Sequence, residues 1–231
     1  MGNDYCPYVN DEVVARAVGR ALIALRDPGA SQRLSDYYDR ASNYAGSTFA
    51  GLKPQSSTEI TATDLIAVTT LSVDIPVIAV RRLLEDEELR SSIRTAMQAL
   101  PACSLEETQE EDFAAMANFY DLIKGTLAKA NSSSSNPWVT ASKLSARKRP
   151  DLFPVRDRVV CKYLEIEKQG DRAKDWVVFR ALMKHGRIRE ELERVTVCAS
   201  SRRADEDVVI DTDPLRILDA VLWMHAPSLR G

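Results

Sequence analysis

A chain of 231 residues, of which 45% are apolar and 28% are charged, is long enough to bury a sizeable hydrophobic core. Its 31 basic and 34 acidic residues leave a formal charge of −3, so no global attraction draws it to nucleic acid or membrane, and any such binding must be local. No apolar run is long enough to cross a bilayer, and the N-terminus lacks a signal-peptide pattern. These features predict a soluble, cytoplasmic protein without membrane contact.

The cysteine and histidine positions bear on metal binding. The four cysteines lie far apart with no Cys-x-x-Cys pair, and neither His185 nor His225 is near them in sequence. Structural zinc sites need closely spaced ligands of this kind, and no phosphate-binding glycine loop is present. We therefore expect neither a bound metal nor a cofactor. We interpret the four cysteines as reduced thiols: Cys6, Cys103, Cys161 and Cys198.

The spacing of apolar residues predicts a mainly α-helical fold. Nine glycines and ten prolines are too few for a turn-rich all-β protein, and apolar residues recur every three or four positions. Asn10 is a good N-cap for a first helix that ends at Asp27-Pro28-Gly29. From residue 31 to residue 57 the periodicity dissolves into a tyrosine-rich stretch. We predict an ordered loop there, with at most one short strand.

Capping signals mark the helices that follow. Thr61 with Asp64 resembles a capping box, Pro76 suits a first helical turn, and Ser104 with Glu107 is another capping signal. Four helices are therefore predicted in this part of the chain, over residues 62–72, 76–84, 87–100 and about 113–129.

Residues 131–137 are nearly all serine and form the one low-complexity segment. We predict a flexible connector there, which divides a single helical domain, 1–231, into an N-terminal half, 1–130, and a C-terminal half, 138–231. In the second half Thr140 is expected to cap a helix that ends at Lys148, because Arg149 precedes Pro150. Further helices are predicted to start at residue 156 or 157 and to cover residues 171–184, 188–199 and 215–224.

The densest chemical signal is a basic cluster on the predicted 140–148 helix, the turn after it and the start of the next helix. Its members are Lys143, Arg147, Lys148, Arg149, Arg156 and Arg158, and the only acids in the segment are Asp151 and Asp157. On one continuous surface these groups would surround a phosphate path on double-stranded DNA and release counterions. The alternative is a solvated face with intrachain ion pairs.

Acids also occur among the tyrosines of the N-terminal half. Asp36, Asp39 and Asp64 would gather near Tyr37, Tyr38 and Tyr44, where an acid among aromatic rings has a raised pKa suited to proton transfer. The alternative is that Asp64 serves as a capping residue and that the tyrosines lie in the core. Among the three tryptophans, Trp138 is the one expected to be exposed.

Four stretches carry a resemblance to a known family. Residues 139–144 (Val-Thr-Ala-Ser-Lys-Leu) and 148–159 (Lys-Arg-Pro-Asp-Leu-Phe-Pro-Val-Arg-Asp-Arg-Val) resemble the second hairpin helix and the following turn of the helix-hairpin-helix DNA glycosylases. The resemblance is greatest to their bacterial, oxoguanine-glycosylase-like relatives of unknown function. Residues 38–49 and 60–68 resemble the N-terminal part of those proteins. The resemblance as a whole implies a mainly α, helix-hairpin-helix DNA glycosylase-like helical domain.

The resemblance also implies roles for particular residues. In that family the hairpin binds a phosphate through backbone N–H groups, and an aspartate after the proline of the turn works in catalysis. The catalytic residue implied here is Asp157. The nucleic-acid-binding residues implied by the hairpin and the basic cluster are Thr140, Lys143, Arg147, Lys148, Arg149, Arg156 and Arg158.

The chain departs from the family pattern at three places. No glycine occurs in residues 132–139, Pro137 and Trp138 stand near the position of the family's Schiff-base lysine, and Asp157 comes one residue later than the family's aspartate. Asp157 is also a good helix N-cap. These departures favour a nucleic-acid-binding protein that has a glycosylase-like scaffold and no base-excision activity.

Two alternatives remain open. One is a monofunctional DNA glycosylase that flips a damaged base into a pocket between the halves and uses Asp157 to stabilise positive charge on the sugar. The other is a protein-interaction or immunity-type module that does not contact nucleic acid. A basic face beside a deep cleft with a buried carboxylate would favour the enzyme, and a basic face without a cleft would favour the binding protein.

Overall fold

A computed structural model describes residues 7–128, 136–201 and 208–228, and within them the chain is mainly α-helical, as predicted. These residues form no strand, and none of their helices is both long and apolar enough to span a bilayer. The helices are α1 (Asp11–Arg26), α2 (Ala30–Tyr38), α3 (Gly46–Gly51), α4 (Ala62–Thr69), α5 (Val77–Glu85), α6 (Glu87–Gln98), α7 (Asp112–Leu127), α8 (Trp138–Lys148), α9 (Arg158–Tyr163), α10 (Arg172–Lys184), α11 (Gly186–Ser201) and α12 (Pro214–Ser228).

Several helices begin where the capping residues predict. The Asn10 side chain accepts the Glu12 N–H at 2.8 Å and starts α1. Thr61 and Asp64 form the reciprocal capping box that starts α4. Asp157 caps α9, and Pro214 occupies the first position of α12. The local chemistry of helix ends therefore accounts for these boundaries.

The predicted loop over residues 31–57 is wrong. The segment contains α2 and α3, and in place of a strand Asp39 makes one isolated antiparallel bridge, to Val208. Helix α2 packs against α11 and α12 and buries Leu34 and Tyr38 completely, while Phe49 of α3 is 2% exposed. Burial against the C-terminal helices stabilises helical structure that the tyrosine-rich sequence does not favour locally.

Two other boundaries differ from those predicted. The capping box of Ser104 and Glu107 starts a short 3₁₀ turn, Leu105–Glu107, that precedes α7. Helix α8 begins at Trp138, so Thr140 lies inside it and does not cap it. Residues 131–135 of the predicted connector lie outside the described part of the chain.

The helices associate in two groups that do not follow the order of the chain. In the first group, α1 and α2 pack against α11 and α12, α10 packs on α1 and α11, and α9 packs on α12. In the second group, α8 packs against α4 and α7, and α7 contacts α5 and α6. Phe113 and Tyr120 of α7 contact Trp176 of α10, with ring centroids 6.3 and 5.6 Å apart. Aromatic packing thus joins the two groups.

A buried ionic cluster fixes α8 against α4. Asp64 accepts a hydrogen bond from Nε of Arg147 at 3.2 Å and another from Nζ of Lys148 at 2.8 Å. All three side chains are buried, with at most 2% of each exposed. Two cations on one carboxylate leave one positive charge without a carboxylate partner, so backbone oxygens must supply the remaining acceptors.

Those oxygens come from the second half of α3 and from the chain between α3 and α4. The Arg147 guanidinium donates to the carbonyls of Phe49, Ala50 and Leu52, and Lys148 donates to those of Ser56 and Glu59 at 2.5 and 2.7 Å. The last carbonyls of a helix and those of an irregular segment need such donors where the protein shields them from water. The two cations of α8 therefore hold residues 49–59 in place.

We expect Arg147→Ala to destabilise the protein by about 3–5 kcal/mol, because the change leaves a buried carboxylate partly unpaired and three carbonyls without their donor. The matched control is Arg26→Ala, which removes an arginine that is 51% exposed and paired with Glu191, and it should cost less than about 1 kcal/mol. Urea unfolding followed by circular dichroism measures both values. Equal losses in the two variants would contradict the role assigned to the buried cluster.

Candidate functional site

A cavity of about 240 Å³ lies where the two helix groups meet. Its walls come from α2, α3 and the segment between them, from α8, α9 and α12, and from the residues that follow α4 and precede α9. The residues that carry its chemistry are Tyr37, Tyr44, Lys143, Asp157, Asp219 and Trp223. Its volume is below the roughly 300–1,000 Å³ of pockets for drug-sized ligands, so it suits one small ring system.

One wall of the cavity is aromatic. The Tyr37 ring lies 6.2 Å from that of Tyr44 and 6.0 Å from that of Trp223, measured between centroids. Tyr44 and Trp223 meet edge to face at 6.1 Å. The three rings are tilted against one another, and each offers an aromatic face or edge to a planar ligand.

Gly46, the first residue of α3, fixes the position of this wall. A Cβ atom at residue 46 would lie 2.4 Å from Cδ1 of Tyr37 and 2.6 Å from its carbonyl oxygen. Any side chain would therefore displace both the ring and the α2 backbone. Glycine at this position allows the close approach of α3 that holds Tyr37 at the cavity.

Lys143 brings an amine into the cavity from α8. Ser72 follows α4 with a φ of 59°, and the carbonyl of Leu71 before it accepts a hydrogen bond from Nζ of Lys143 at 2.7 Å. Burial lowers the pKa of Lys143, and the nearby Asp157 carboxylate opposes that shift. The structure thus places the amine and this carboxylate at one cavity.

Asp157 has a structural task and also lines the cavity. Its Oδ1 accepts the Val160 N–H at 2.9 Å as the N-cap of α9, and 8% of the residue is exposed. Asp157 can therefore cap α9 and still lie close to a ligand in the cavity, so the position of Asp157 allows both the structural and the catalytic interpretation.

Asp219 of α12 is another ionisable residue at the cavity, besides Lys143 and Asp157. Its Oδ2 accepts the Val155 N–H at 2.6 Å, and the residue is 4% exposed. Burial raises the pKa of Asp219 well above its ordinary value. The Val155 N–H and Arg216 oppose the shift, and the carboxylates of Asp157 and Asp213 add to it. The carboxyl therefore stays neutral to higher pH than an ordinary aspartic acid.

Sequence reasoning missed Asp219 and Trp223, although a signal for them exists. Arg216, Asp219 and Trp223 are spaced by three and four residues in an otherwise apolar helix, so they share one face. Polar groups along a buried helical face indicate a cavity or a polar network.

Asp36, Asp39 and Asp64, which the sequence suggests would gather near the tyrosines, do not line the cavity. Asp64 belongs to the ionic cluster with Arg147 and Lys148, and Asp36 accepts a hydrogen bond from Gln32 at 2.9 Å. The acids that line the cavity together with Tyr37 and Tyr44 are Asp157 and Asp219.

The basic cluster is largely interior. Lys143, Arg147 and Lys148 are bonded within the protein as described above. Arg156 is buried and donates through Nε to Asp175 at 2.8 Å, with its guanidinium 5.0 Å from the Trp138 ring centroid. Trp138 itself is only partly exposed.

The other members of the predicted set differ in exposure. Arg149 makes two hydrogen bonds to Asp151, at 2.9 and 2.8 Å, and Thr140 is buried on α8. Arg158 is the member of the set that is exposed. Nucleic-acid contact by the set stays a prediction, and Arg158 is the group that a phosphate reaches without rearrangement.

A second, wider cavity of about 680 Å³ lies across α9 from the first. Four cationic side chains with at least partial exposure line it, along with the acids Glu167, Asp171 and Asp175. Arg172, one of the four, is paired with Asp121. The cations are Lys124, Arg158, Lys162 and Arg172. A basic surface therefore adjoins the aromatic cavity, and the two are separated by one short helix.

Comparison with known proteins gives one match, to a protein family. Residues 30–226 match DUF6308, a family of unknown function. The chain belongs to this family. The DUF6308 match starts at α2 and includes every residue that lines the two cavities. No curated protein and no solved structure is significantly similar to the chain. The resemblance to helix-hairpin-helix glycosylases stays a prediction.

We expect Asp157→Asn to lower the free energy of unfolding by a few tenths of a kcal/mol and Asp157→Ala to lower it by about 1 kcal/mol, because asparagine keeps the capping oxygen. Asp171, which caps α10 through the Ala173 N–H at 2.9 Å, provides the same pair of substitutions as a control. Thermal or urea unfolding measures each loss. A loss for Asp157→Asn as large as that for Asp157→Ala would show that the charge, and not the cap, stabilises this turn.

Proposed function

We propose that this protein binds nucleic acid and receives one unstacked base in the cavity formed by Tyr37, Lys143, Asp157, Asp219 and Trp223. The observation that carries the proposal is the cavity itself: an aromatic wall faces polar groups in a space suited to one small ring system. A planar heterocycle stacks on aromatic side chains and presents donors and acceptors at its edge.

The basic surface supports a polyanionic ligand. Asp157 and Val160 face the aromatic cavity, whereas Arg158, Cys161 and Lys162 face the second cavity. A strand that inserts a base on one side of α9 would therefore carry its phosphates past exposed cations on the other side. Such contacts supply affinity without reading the base sequence. The proposed phosphate path follows α9, whereas the path suggested by the sequence ran over α8, the turn after it and the start of α9.

A preference for an unpaired base tests the proposal. We expect the protein to bind a duplex with one mismatched base about tenfold more tightly than the same duplex with an abasic site at that position, because an unpaired base costs little to extrude and fills the cavity. Fluorescence anisotropy measures both affinities. Trp223→Ala should remove the preference, since it removes part of the aromatic wall. Equal affinity of the wild type for the two duplexes would rule out a base in the cavity.

The salt dependence tests the phosphate path separately. Arg158→Ala combined with Lys162→Ala should reduce the slope of log K against log salt concentration by about one unit for each lost contact. The control is Arg81→Ala combined with Arg187→Ala, two exposed cations that line neither cavity. An unchanged slope in the first double variant, or an equal change in the control, would remove α9 from the interface.

The position of Asp157 favours one second candidate, a monofunctional glycosylase. Its carboxylate at the cavity would stabilise positive charge that develops on the sugar as the base departs. The binding proposal expects no excision from duplexes that carry damaged bases. Alkali-labile strand cleavage by the wild type, lost in Asp157→Asn while binding persists, would establish the enzyme instead.

A further inference from the structure

One of the two carboxyl oxygens of Asp219 makes no hydrogen bond to the described part of the chain. Its Oδ2 accepts one hydrogen bond, from the Val155 N–H, while Oδ1 is buried and has no partner among the described residues. Buried polar atoms are almost always paired, so such a group at a cavity wall indicates a missing partner. Asp219 lines the same cavity as Tyr37 and Trp223.

The charges around Asp219 favour its neutral form. Arg216, the nearest cation on α12, is itself engaged by Asp211 at 2.6 Å and by the carbonyl of Ala146 at 3.0 Å. Burial and two neighbouring carboxylates, Asp157 and Asp213, raise the pKa of Asp219. A neutral carboxyl carries an O–H donor, whereas an ionised one can only accept hydrogen bonds.

We infer that Asp219 acts as a neutral hydrogen-bond donor to an acceptor atom, a ring nitrogen or a carbonyl oxygen, on the heterocycle bound in the cavity. This inference rests on the proposed function and assigns the group that recognises the edge of the base. The Val155 N–H holds the carboxyl in place through Oδ2. Arg216 remains bound to Asp211 and takes no part in the contact.

Two substitutions at residue 219 separate recognition from packing. Asparagine keeps an oxygen for the Val155 N–H and an N–H₂ donor for the ligand, whereas leucine has a similar size and neither group. Asp219→Leu should lower the preference for the mismatched over the abasic duplex by about tenfold, and Asp219→Asn should retain it. Asp86→Asn is the control, because Asp86 caps α6 through the Leu89 N–H at 3.0 Å and lines neither cavity.

A pH series keeps the test independent of how well Asp219→Leu folds. The preference of the wild type should decline as the pH rises through the pKa of Asp219, because deprotonation removes the donor, and that of Asp219→Asn should stay level. The ratio of the two affinities cancels pH effects on phosphate contacts. Burial raises the pKa of both Tyr37 and Cys161, so these two stay neutral. The groups that face Asp219 are Tyr37 and Tyr38 of α2, Asp157 and Cys161 at α9, and Asp213 and Arg216 at α12, and burial raises the pKa of Tyr38 as well.

Each outcome decides the inference. Loss of preference in Asp219→Leu, retention in Asp219→Asn and a pH response confined to the wild type would establish Asp219 as the donor. Retained preference in a folded Asp219→Leu, loss in Asp219→Asn, or parallel pH profiles would overturn the inference and leave base binding intact. A wild type that shows no preference between the mismatched and the abasic duplex at any pH would overturn the proposed function, and the inference with it.

Discussion

The burial of Asp64 between Arg147 and Lys148 is the constraint on which the rest of the structure depends. Removing three charges from water costs several kcal/mol for each ion, and only close pairing and further hydrogen bonds offset that cost. Here the further acceptors are backbone carbonyls of residues 49–59, so the cluster fixes this segment as well as α8. Phe49 and Lys143, which both line the cavity, are positioned as a result.

The cavity owes its form to the meeting of helices that are distant in sequence. Tyr37 comes from α2, Lys143 from α8 and Trp223 from α12, and each is carried by a helix that packs on others. Groups held on rigid elements keep their geometry without a ligand, which reduces the ordering that binding requires. The close approach of Gly46 to Tyr37 adds to this rigidity, since it leaves the ring little room to move toward α3.

The distribution of charge reconciles an acidic protein with a proposed anionic ligand. Several cations of the α8 region are bonded inside the protein, so they contribute to folding and little to the external field. Arg158 and Lys162 on α9 are exposed, and they adjoin the aromatic cavity. A net charge of −3 for the whole chain is compatible with a local basic surface of this kind.

The sequence by itself determined most helix positions, because capping and apolar periodicity act between near neighbours: Asn10, Thr61, Asp157 and Pro214 mark helix ends correctly. It also placed Lys143 and Arg147 on one helical face, since they are four residues apart. Only the tertiary structure decided that this face turns inward, that residues 31–57 form helices and that Asp219 reaches a cavity. Those outcomes depend on partners far along the chain, and a local pattern cannot specify which buried surface a helix will meet.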